Sequence, residues 1–341
     1  MKRFLIIGLA AFFIGYFAPE AKAQQDVGSL FVSGPADATK LVNAYFDPLY
    51  KGLGQGLSDG WSNTAKAKGF LKFDLRVSAS GAFVPQSART YNVNTLGLNN
   101  IKPAPGASPE GPTAFGNSQV GGRMEVYTSN GFPTGKFFNL PQGVGFHIVP
   151  SAQIQATLGL PKNIDISLRA MPKIKLGSDL GSLSMIGVGA KIELLPLIMG
   201  KSTKLVPVDI AIAGGFTQYQ YHLDLNIDNV ANSDQRIDAK FNGVNIEAIV
   251  SKNLLFFTPF ASVGYQTAKT DLKALGTYRF ATSATSSVTY VDPIAIKQTD
   301  IDGMRASIGF QLKFGFFKFY SSYTQAKYSM VNAGFGFGIG K

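Results

Sequence analysis

Two histidine-containing stretches are the places in this sequence where residue types and spacing could support chemistry. His147 and Ser151 could act as base and nucleophile, since a serine hydroxyl is activated when a histidine accepts its proton. In an extended chain, four residues place them about 13 Å apart, so hydrogen bonding would require a turn. Pro150 intervenes between the two residues. We therefore predict no catalytic residues and no enzymatic activity.

The second stretch could bind a metal. Residues 222–228 place His222 and a row of Asp and Asn side chains at alternate positions, which is similar to the oxygen ligands of a calcium loop. Such a loop needs a glycine at position six and a bidentate acid at position twelve, where this chain has Asn229 and Gln235. Cysteine is absent from the 341 residues, which excludes thiolate ligands and disulfides. Neither a metal nor a cofactor is predicted.

Charged side chains recur at alternate positions within apolar segments. In residues 71–77, Lys72, Asp74 and Arg76 alternate with apolar residues, and a strand directs these two sets to opposite faces. Repeated on successive strands, such charges could form a lattice of ion pairs or line a lumen that attracts anionic solutes. The sequence leaves both alternatives open. The candidate lumen-lining residues are Arg76, Asp165, Arg169, Lys191, Glu193, Asp209, Glu247 and Arg305.

The alternation extends over residues 69–341 and predicts an all-β fold, a transmembrane antiparallel β-barrel with apolar residues toward lipid and polar residues toward the lumen. Ten strands can be traced as a minimum, and twelve are plausible because 119–128 and 137–148 could add two. Twelve to fourteen strands are possible in all. Short turns are expected on the periplasmic side and long loops outside. The short turns lie near residues 162, 199, 252 and 316, and the longer segments are 85–142, 176–182, 231–235, 268–300 and 327–330.

The first 23 residues have the pattern of a secretory signal peptide. Lys2 and Arg3 precede an apolar run too short to span a bilayer, and residues 21–23 match a signal-peptidase site. We expect the mature chain in the cell outer membrane, with membrane lipid as a partner. The formal charge of +11 arises from dispersed residues, so nucleic acid is not predicted as a partner. The oligomeric state stays open.

Residues 24–68 form a different kind of segment. Apolar residues recur every four positions from Leu41 to Leu53 and predict a helix, which Pro48 should break or kink. The helix must bury its apolar face, either as a plug in the barrel or as a cap on the periplasmic mouth or the membrane surface. The candidate contacts between plug and barrel are Trp61 and an inward-facing glycine row, Gly334, Gly336 and Gly338.

Several short motifs carry a resemblance to a known group. They are residues 60–65 (Gly-Trp-Ser-Asn-Thr-Ala), 158–163 (Leu-Gly-Leu-Pro-Lys-Asn), 169–172 (Arg-Ala-Met-Pro) and 187–191 (Gly-Val-Gly-Ala-Lys). Together with the signal peptide and the helical lead-in, they resemble the uncharacterised outer-membrane β-barrel family of Bacteroidota. More distantly, the plan is similar to outer-membrane long-chain fatty acid transporters, whose N-terminal segment obstructs the lumen and whose cargo is hydrophobic.

Two functions are consistent with this plan. We expect passive transport of small, partly hydrophobic solutes across the outer membrane, with residues 24–68 controlling the path. The alternative is a non-transporting structural or surface-contact barrel, in which 85–142 and 268–300 make the contacts. The sequence does not identify a solute.

Overall fold

The protein folds as a closed antiparallel barrel with one long N-terminal helix. The computed structural model describes residues 34–175, 181–200, 202, 206–225, 234–281 and 287–338. Its ten-stranded barrel confirms the prediction of an all-β barrel with an N-terminal helical element. The predicted signal peptide lies outside the described residues, as does part of the predicted hairpin tip at 231–235.

The helices and strands follow in chain order, together with short 3-10 helices at Gln86–Ala88, Val93–Thr95 and Pro161–Asn163. They are α1 (Pro35–Ser58), β1 (Phe73–Phe83), β2 (Thr90–Asn92), β3 (Ile101–Pro103), β4 (Glu110–Pro112), β5 (Arg123–Tyr127), β6 (Pro133–Asn139), β7 (Ile148–Leu160), β8 (Ile164–Lys175), β9 (Ser182–Glu193), α2 (Leu195–Met199), β10 (Asp209–Asp224), β11 (Arg236–Ser251), β12 (Phe257–Leu275), β13 (Thr277–Ala281), β14 (Ser287–Val291), β15 (Ile294–Phe314), β16 (Phe317–Gln325) and β17 (Ser329–Gly338).

The barrel order is β1, β17, β16, β15, β12, β11, β10, β9, β8 and β7. Strand β1 closes the ring because it pairs with both β17 and β7. The segments 119–128 and 137–148 do contain strands, since β5 and β6 lie there in part, but these pair in a separate sheet with β3. The larger strand counts that the sequence left open are therefore not found in the described part of the barrel.

The prediction that 268–300 is a loop is wrong. Strand β12 continues to Leu275, β15 begins at Ile294, and a β13–β14 hairpin joins them. Both strands continue because their inward side chains, including Ala274 and Ile296, join a buried apolar cluster instead of facing water. One wall of the barrel consequently rises higher than the other.

The outside of the barrel carries an apolar belt. Along β11, the outward-facing Val244, Ile246 and Val250 are all exposed. At the short-turn end, exposed aromatic side chains such as Phe256 and Phe316 form a row around the rim. An apolar band bordered by aromatic residues is the exterior expected of a barrel that sits in lipid.

A small domain covers the long-loop end, and we call it the head: residues 85–142 with strands β13 and β14. Its apolar core includes residues from the head, from the raised wall and from the start of α1. The buried members are Ala38, Leu41, Val42, Val93, Ile101, Met124, Leu140, Ala274, Tyr278, Ile294 and Ile296. Helix α1 therefore begins inside the head and enters the barrel from there.

Candidate functional site

Helix α1 runs down the lumen from the long-loop end. Near its start, the Asp37 carboxylate accepts hydrogen bonds from the backbone N–H groups of Asn99 (2.9 Å) and Asn100 (2.7 Å) in the head. At its end, the carbonyl of Ser58 accepts a 2.7 Å hydrogen bond from Nη1 of Arg305 on β15. The chain then continues to residue 68 at the short-turn end, and we call residues 34–68 the lumen segment.

Glycines let α1 lie directly on the barrel wall. A β carbon at Gly54 would lie 2.5 Å from Cβ of Ala268, and one at Gly56 would lie 2.2 Å from Oγ of Ser151. Both distances are shorter than any normal contact between heavy atoms. These two positions on the helix therefore require glycine.

The predicted break at Pro48 is wrong, because α1 is continuous from Pro35 to Ser58, and the alternative of a kink stays a prediction. A proline inside a helix costs about 3 kcal/mol. Here Leu41, Tyr50 and Leu57 are almost completely buried against the head and the barrel wall. Burial of an apolar side chain of this size contributes about 1.5–3 kcal/mol, so packing offsets the loss at Pro48.

Arginines on the wall bind the C-terminal end of α1. Arg169 on β8 donates to the carbonyls of Leu57 (2.9 Å) and Asp59 (2.6 Å). Arg305 on β15 binds the carbonyl of Ser58 and forms an ion pair with the Asp59 carboxylate, and both side chains are 2% exposed. The last carbonyls of a helix have no partner within the helix and carry its negative dipole, so guanidinium groups are suited to this end.

Trp61 occupies a gap in the wall beside these arginines. Its ring lies against Gly189 of β9 and Gly215 of β10, where β carbons would approach ring atoms to 2.6 Å and 2.2 Å. These glycines are direct partners across the two strands. The guanidinium carbon of Arg169 lies 3.7 Å from the ring centroid, and Arg76 donates to the carbonyl of Trp61. The bare patch and the cations together hold the indole in place.

Charged residues of β9 bind the lumen segment near its exit. Nζ of Lys191 donates to the carbonyls of Thr64 (3.0 Å) and Lys66 (2.8 Å). The Glu193 carboxylate accepts a 2.9 Å hydrogen bond from the backbone N–H of Ala67. These contacts use main-chain groups, so they fix the path of the segment whatever side chains it carries.

The remaining predicted lumen residues differ in their contacts. Asp165 accepts a 2.9 Å hydrogen bond from the Lys68 N–H. Asp209 forms an ion pair with the side chain of Lys66, at 3.4 Å. Glu247 is buried and accepts a 2.9 Å hydrogen bond from Ser262, another wall residue. Direct hydrogen bonds to the main chain of the lumen segment thus come from Arg76, Asp165, Arg169, Lys191, Glu193 and Arg305.

The predicted glycine row lies close to other wall residues. A β carbon at Gly334 would meet the hydroxyl of Tyr320 at 2.5 Å, and at Gly336 and Gly338 the nearest atoms are carbonyl oxygens of β1. Neighbouring wall residues thus supply the nearest atoms at these three positions, although Gly336 also lines the cavity beside Trp61. The assignment of Gly334, Gly336 and Gly338 as plug contacts stays a prediction. Although they face inward, alternation alone does not show what occupies the space beyond.

Other wall residues that contact the lumen segment were missed in the sequence. Gln155 donates to the carbonyl of Trp61 at 3.2 Å, and a β carbon at Gly243 would lie 2.7 Å from Cβ of Leu57. Both residues occupy inward positions of predicted strands, so the sequence predicts that they face the lumen. What the sequence lacked was any indication that a helix would approach these two positions closely.

The space left between the lumen segment and the wall is small. A cavity of about 30 Å³ lies beside Trp61 and is lined by Arg76, Lys68, Lys191 and Lys318, among others. This volume has room for about two water molecules. The cavity is therefore too small for an organic solute in this conformation.

Both histidines lie within hydrogen-bond distance of oxygen atoms of other residues. Nδ1 of His147 lies 2.7 Å from the carbonyl oxygen of Phe115. His222 lies between two carboxylates, with Nδ1 2.6 Å from Asp238 and Nε2 3.1 Å from Asp224. Within the described residues, no cluster of three or more His, Asp or Glu side chains is arranged to hold a metal ion.

The fold and its occupied lumen define the chain as a closed β-barrel with an internal N-terminal segment. The chain belongs to a family of unknown function (DUF6588), which matches residues 1–339. No curated protein matches. Among the described helices, none is long and apolar enough to cross a membrane. The resemblance to Bacteroidota proteins and to fatty acid transporters stays a prediction.

Several solved outer-membrane barrels are weakly similar to the chain. Ail, the attachment invasion locus protein of Yersinia pestis, is 9% identical, with 80% of this chain and 100% of that chain covered and a TM-score of 0.27. The translocator domain of the autotransporter NalP from Neisseria meningitidis is 11% identical, with coverages of 90% and 98% and a TM-score of 0.31. The Pseudomonas putida toluene transporter TodX is 8% identical, with coverages of 82% and 70% and a TM-score of 0.27.

Proposed function

We propose that the protein is an outer-membrane barrel that displays its head at the cell surface and does not conduct solutes. The membrane location is supported by the apolar exterior, where residues such as Ile246 and Val263 are more than half exposed. Side chains of this kind would be costly in water and are stabilised in lipid. The inward face carries the opposite chemistry, with Arg169 and Glu193 completely buried.

The single observation that carries the proposal is the binding of the lumen segment to the wall. Its contacts come from four neighbouring strands, β9, β8, β7 and β1, and from β15 on the other side of the barrel. Buried charges such as Asp59 and Arg305 satisfy each other, and separating them would leave both without a partner in a place with little water. The closed conformation is therefore strongly favoured over one with an empty lumen.

The head is then the part available for contacts. It is joined to the barrel by the raised wall and by α1, with Tyr278 and Leu140 completely buried in its core. A core of this kind makes the head rigid relative to the barrel. We infer that the exposed surface of the head carries the contacts, as in the non-transporting alternative.

Reconstitution in planar bilayers tests this function. The wild-type protein should give no conductance above that of the lipid, while a variant lacking residues 34–60 should conduct if its barrel closes. Barrel closure can be verified by a mobility shift on an unheated denaturing gel. A control variant lacking the exposed head turn at 129–131 should remain silent. Steady conductance by the wild-type protein would overturn the proposal.

Gated transport of small, partly hydrophobic solutes is the second candidate. It is favoured by the cavity beside Trp61, which shows that the lumen segment does not fill the barrel completely at this level. The indole N–H of Trp61 has no hydrogen-bond partner in the described part of the chain, so leaving Gly189 and Gly215 would break only the contact of the ring with Arg169. Uptake of a small aromatic solute by vesicles containing the wild-type protein, absent in protein-free vesicles, would favour this candidate.

A further inference from the structure

The outer face of the raised wall changes from apolar to charged above the apolar belt. On β12, the outward row passes from Val263 and Tyr265 to Lys269, Asp271 and Lys273. A sheet face that continues beyond lipid must be solvated or must contact polar groups. This charged face therefore lies at the height where the apolar belt ends.

Exposed lysines dominate this face. Lys173, Lys240, Lys269, Lys273 and Lys297 are all exposed, and none lies within 4.0 Å of a carboxylate in the part of the chain that the structure describes. The neighbouring Asp238 is bound by His222 at 2.6 Å and by Arg236 at 3.3 Å. The lysines consequently retain an excess of positive charge.

A groove of about 420 Å³ lies among these residues. Lys173, Lys240 and Lys273 contribute its cations, while Gln220 and His222 contribute further polar groups and Asp238 and Asp271 two acids. Lysine ammonium groups on flexible stems bind phosphate as point charges. The groove is thus large enough for a phosphate with part of its attached sugar or glycerol.

We propose that this groove binds the phosphorylated headgroup of an anionic lipid in the surrounding leaflet. This inference rests on the proposed membrane location. Its support is the coincidence of three features: the end of the apolar belt, the lysines without ion pairs among the described residues, and a groove lined by outward-facing side chains of β11 and β12. Each basic residue near an anionic membrane surface adds roughly a fivefold factor to lipid affinity.

The test uses detergent-solubilised full-length protein and a soluble short-chain phosphatidic acid, with binding measured by calorimetry at low salt. The wild-type protein should bind this lipid and should not bind short-chain phosphatidylcholine. The double variant Lys240→Gln/Lys273→Gln should bind roughly 25-fold more weakly. The matched control Lys162→Gln/Lys252→Gln changes two exposed lysines at the short-turn end and should bind like the wild type.

A variant that binds the lipid more tightly distinguishes a change in the groove from misfolding of the protein. Asp271→Asn removes an acidic group from the groove, so it should strengthen binding several-fold, which a damaged fold could not do. Equal affinity for the two short-chain lipids, or unchanged affinity in the lysine variant, would overturn the proposal. Inorganic phosphate that competes at the same concentration as the lipid would identify a free-phosphate site instead. Failure of the membrane proposal is separately visible as a protein that is monomeric without detergent.

Discussion

Replacement of Gly215 by alanine tests whether the bare patch holds the lumen segment. The added β carbon would lie 2.2 Å from Cε2 of Trp61, whereas carbon atoms in contact lie about 3.5–4.0 Å apart. The indole must therefore move by more than about 1 Å. Strand β10 cannot yield instead, because Gly215 is paired with Gly189 on one side and Asn245 on the other.

The cost follows from overpacking and from the lost contact with Arg169. Inserting a methyl group into a packed site costs about 1–3 kcal/mol. The guanidinium over the ring, 3.7 Å from the centroid, adds up to about 2 kcal/mol when it is desolvated. We expect Gly215→Ala to destabilise the bound lumen segment by about 2–4 kcal/mol.

Fluorescence reports directly on this site because Trp61 is the only tryptophan. The wild-type protein should emit at short wavelength and resist acrylamide quenching, since Trp61 is 4% exposed. Gly215→Ala should shift the emission to longer wavelength and increase quenching. The matched control is Gly303→Ala on β15, where a β carbon would meet no atom within 4 Å.

The control should keep the wild-type spectrum and unfold at the same or a slightly higher urea concentration, because alanine is less flexible than glycine in the unfolded chain. If Gly215→Ala also keeps the wild-type spectrum, quenching and urea midpoint, then the glycine pair does not hold Trp61. The assignment of this wall as the contact would then fail.

Three further predictions concern the ion pair, the head and the orientation. Arg305→Gln should lower the free energy of unfolding by about 3–5 kcal/mol, because Asp59 stays buried without its partner. Adding Asp59→Asn should recover part of this loss. If the losses of the two single variants simply add in urea unfolding of the double variant, the pairing is contradicted. Burial, with a contribution from Asp292, raises the pKa of Tyr278 to about 12. Neutral Tyr278 should therefore stabilise the head fully below pH 10, and this stabilisation should be lost between pH 10 and 12. Hydrogen exchange of the head measures the loss, which should be absent in Tyr278→Phe. A tag inserted in the head turn at 129–131 should bind antibody on intact cells, while one at Lys252 should not; the reverse labelling would invert the topology.

The ten barrel strands could be predicted because lipid imposes a strict alternation on every strand that it contacts. Strand β11 shows it from Ala239 to Ser251, and β8 shows it as far as Met171, after which its register shifts. Alternation does not predict the raised wall, because its outward residues, including Lys269 and Lys273, lie above the apolar belt and are polar, as on a sheet that faces water. Inside the described head, short strands such as β3 and β5 lack the length that makes alternation recognisable.

The lumen was only partly predictable because register gives the direction of a side chain and not its neighbour. The inward direction of Arg169 and Gly336 follows from alternation alone. That Arg169 reaches the end of a helix, while β1 supplies the nearest atoms at Gly336, depends on where α1 crosses the barrel. Pro48 shows the same limit, since its cost in an isolated helix is offset only by packing against the wall.

The length of α1 links the head to the lumen. Its 24 residues extend roughly 36 Å, whereas the apolar band of such barrels is about 25 Å tall, so the helix must project beyond the lipid. The projecting turns place Leu41 in the core of the head, and the last turn places Leu57 against the barrel wall. Any movement that withdraws Leu57 and Trp61 from the lumen must therefore also disturb the head. A ligand that stabilises the head would for this reason hold the lumen closed, and a transport function would require the head to rearrange.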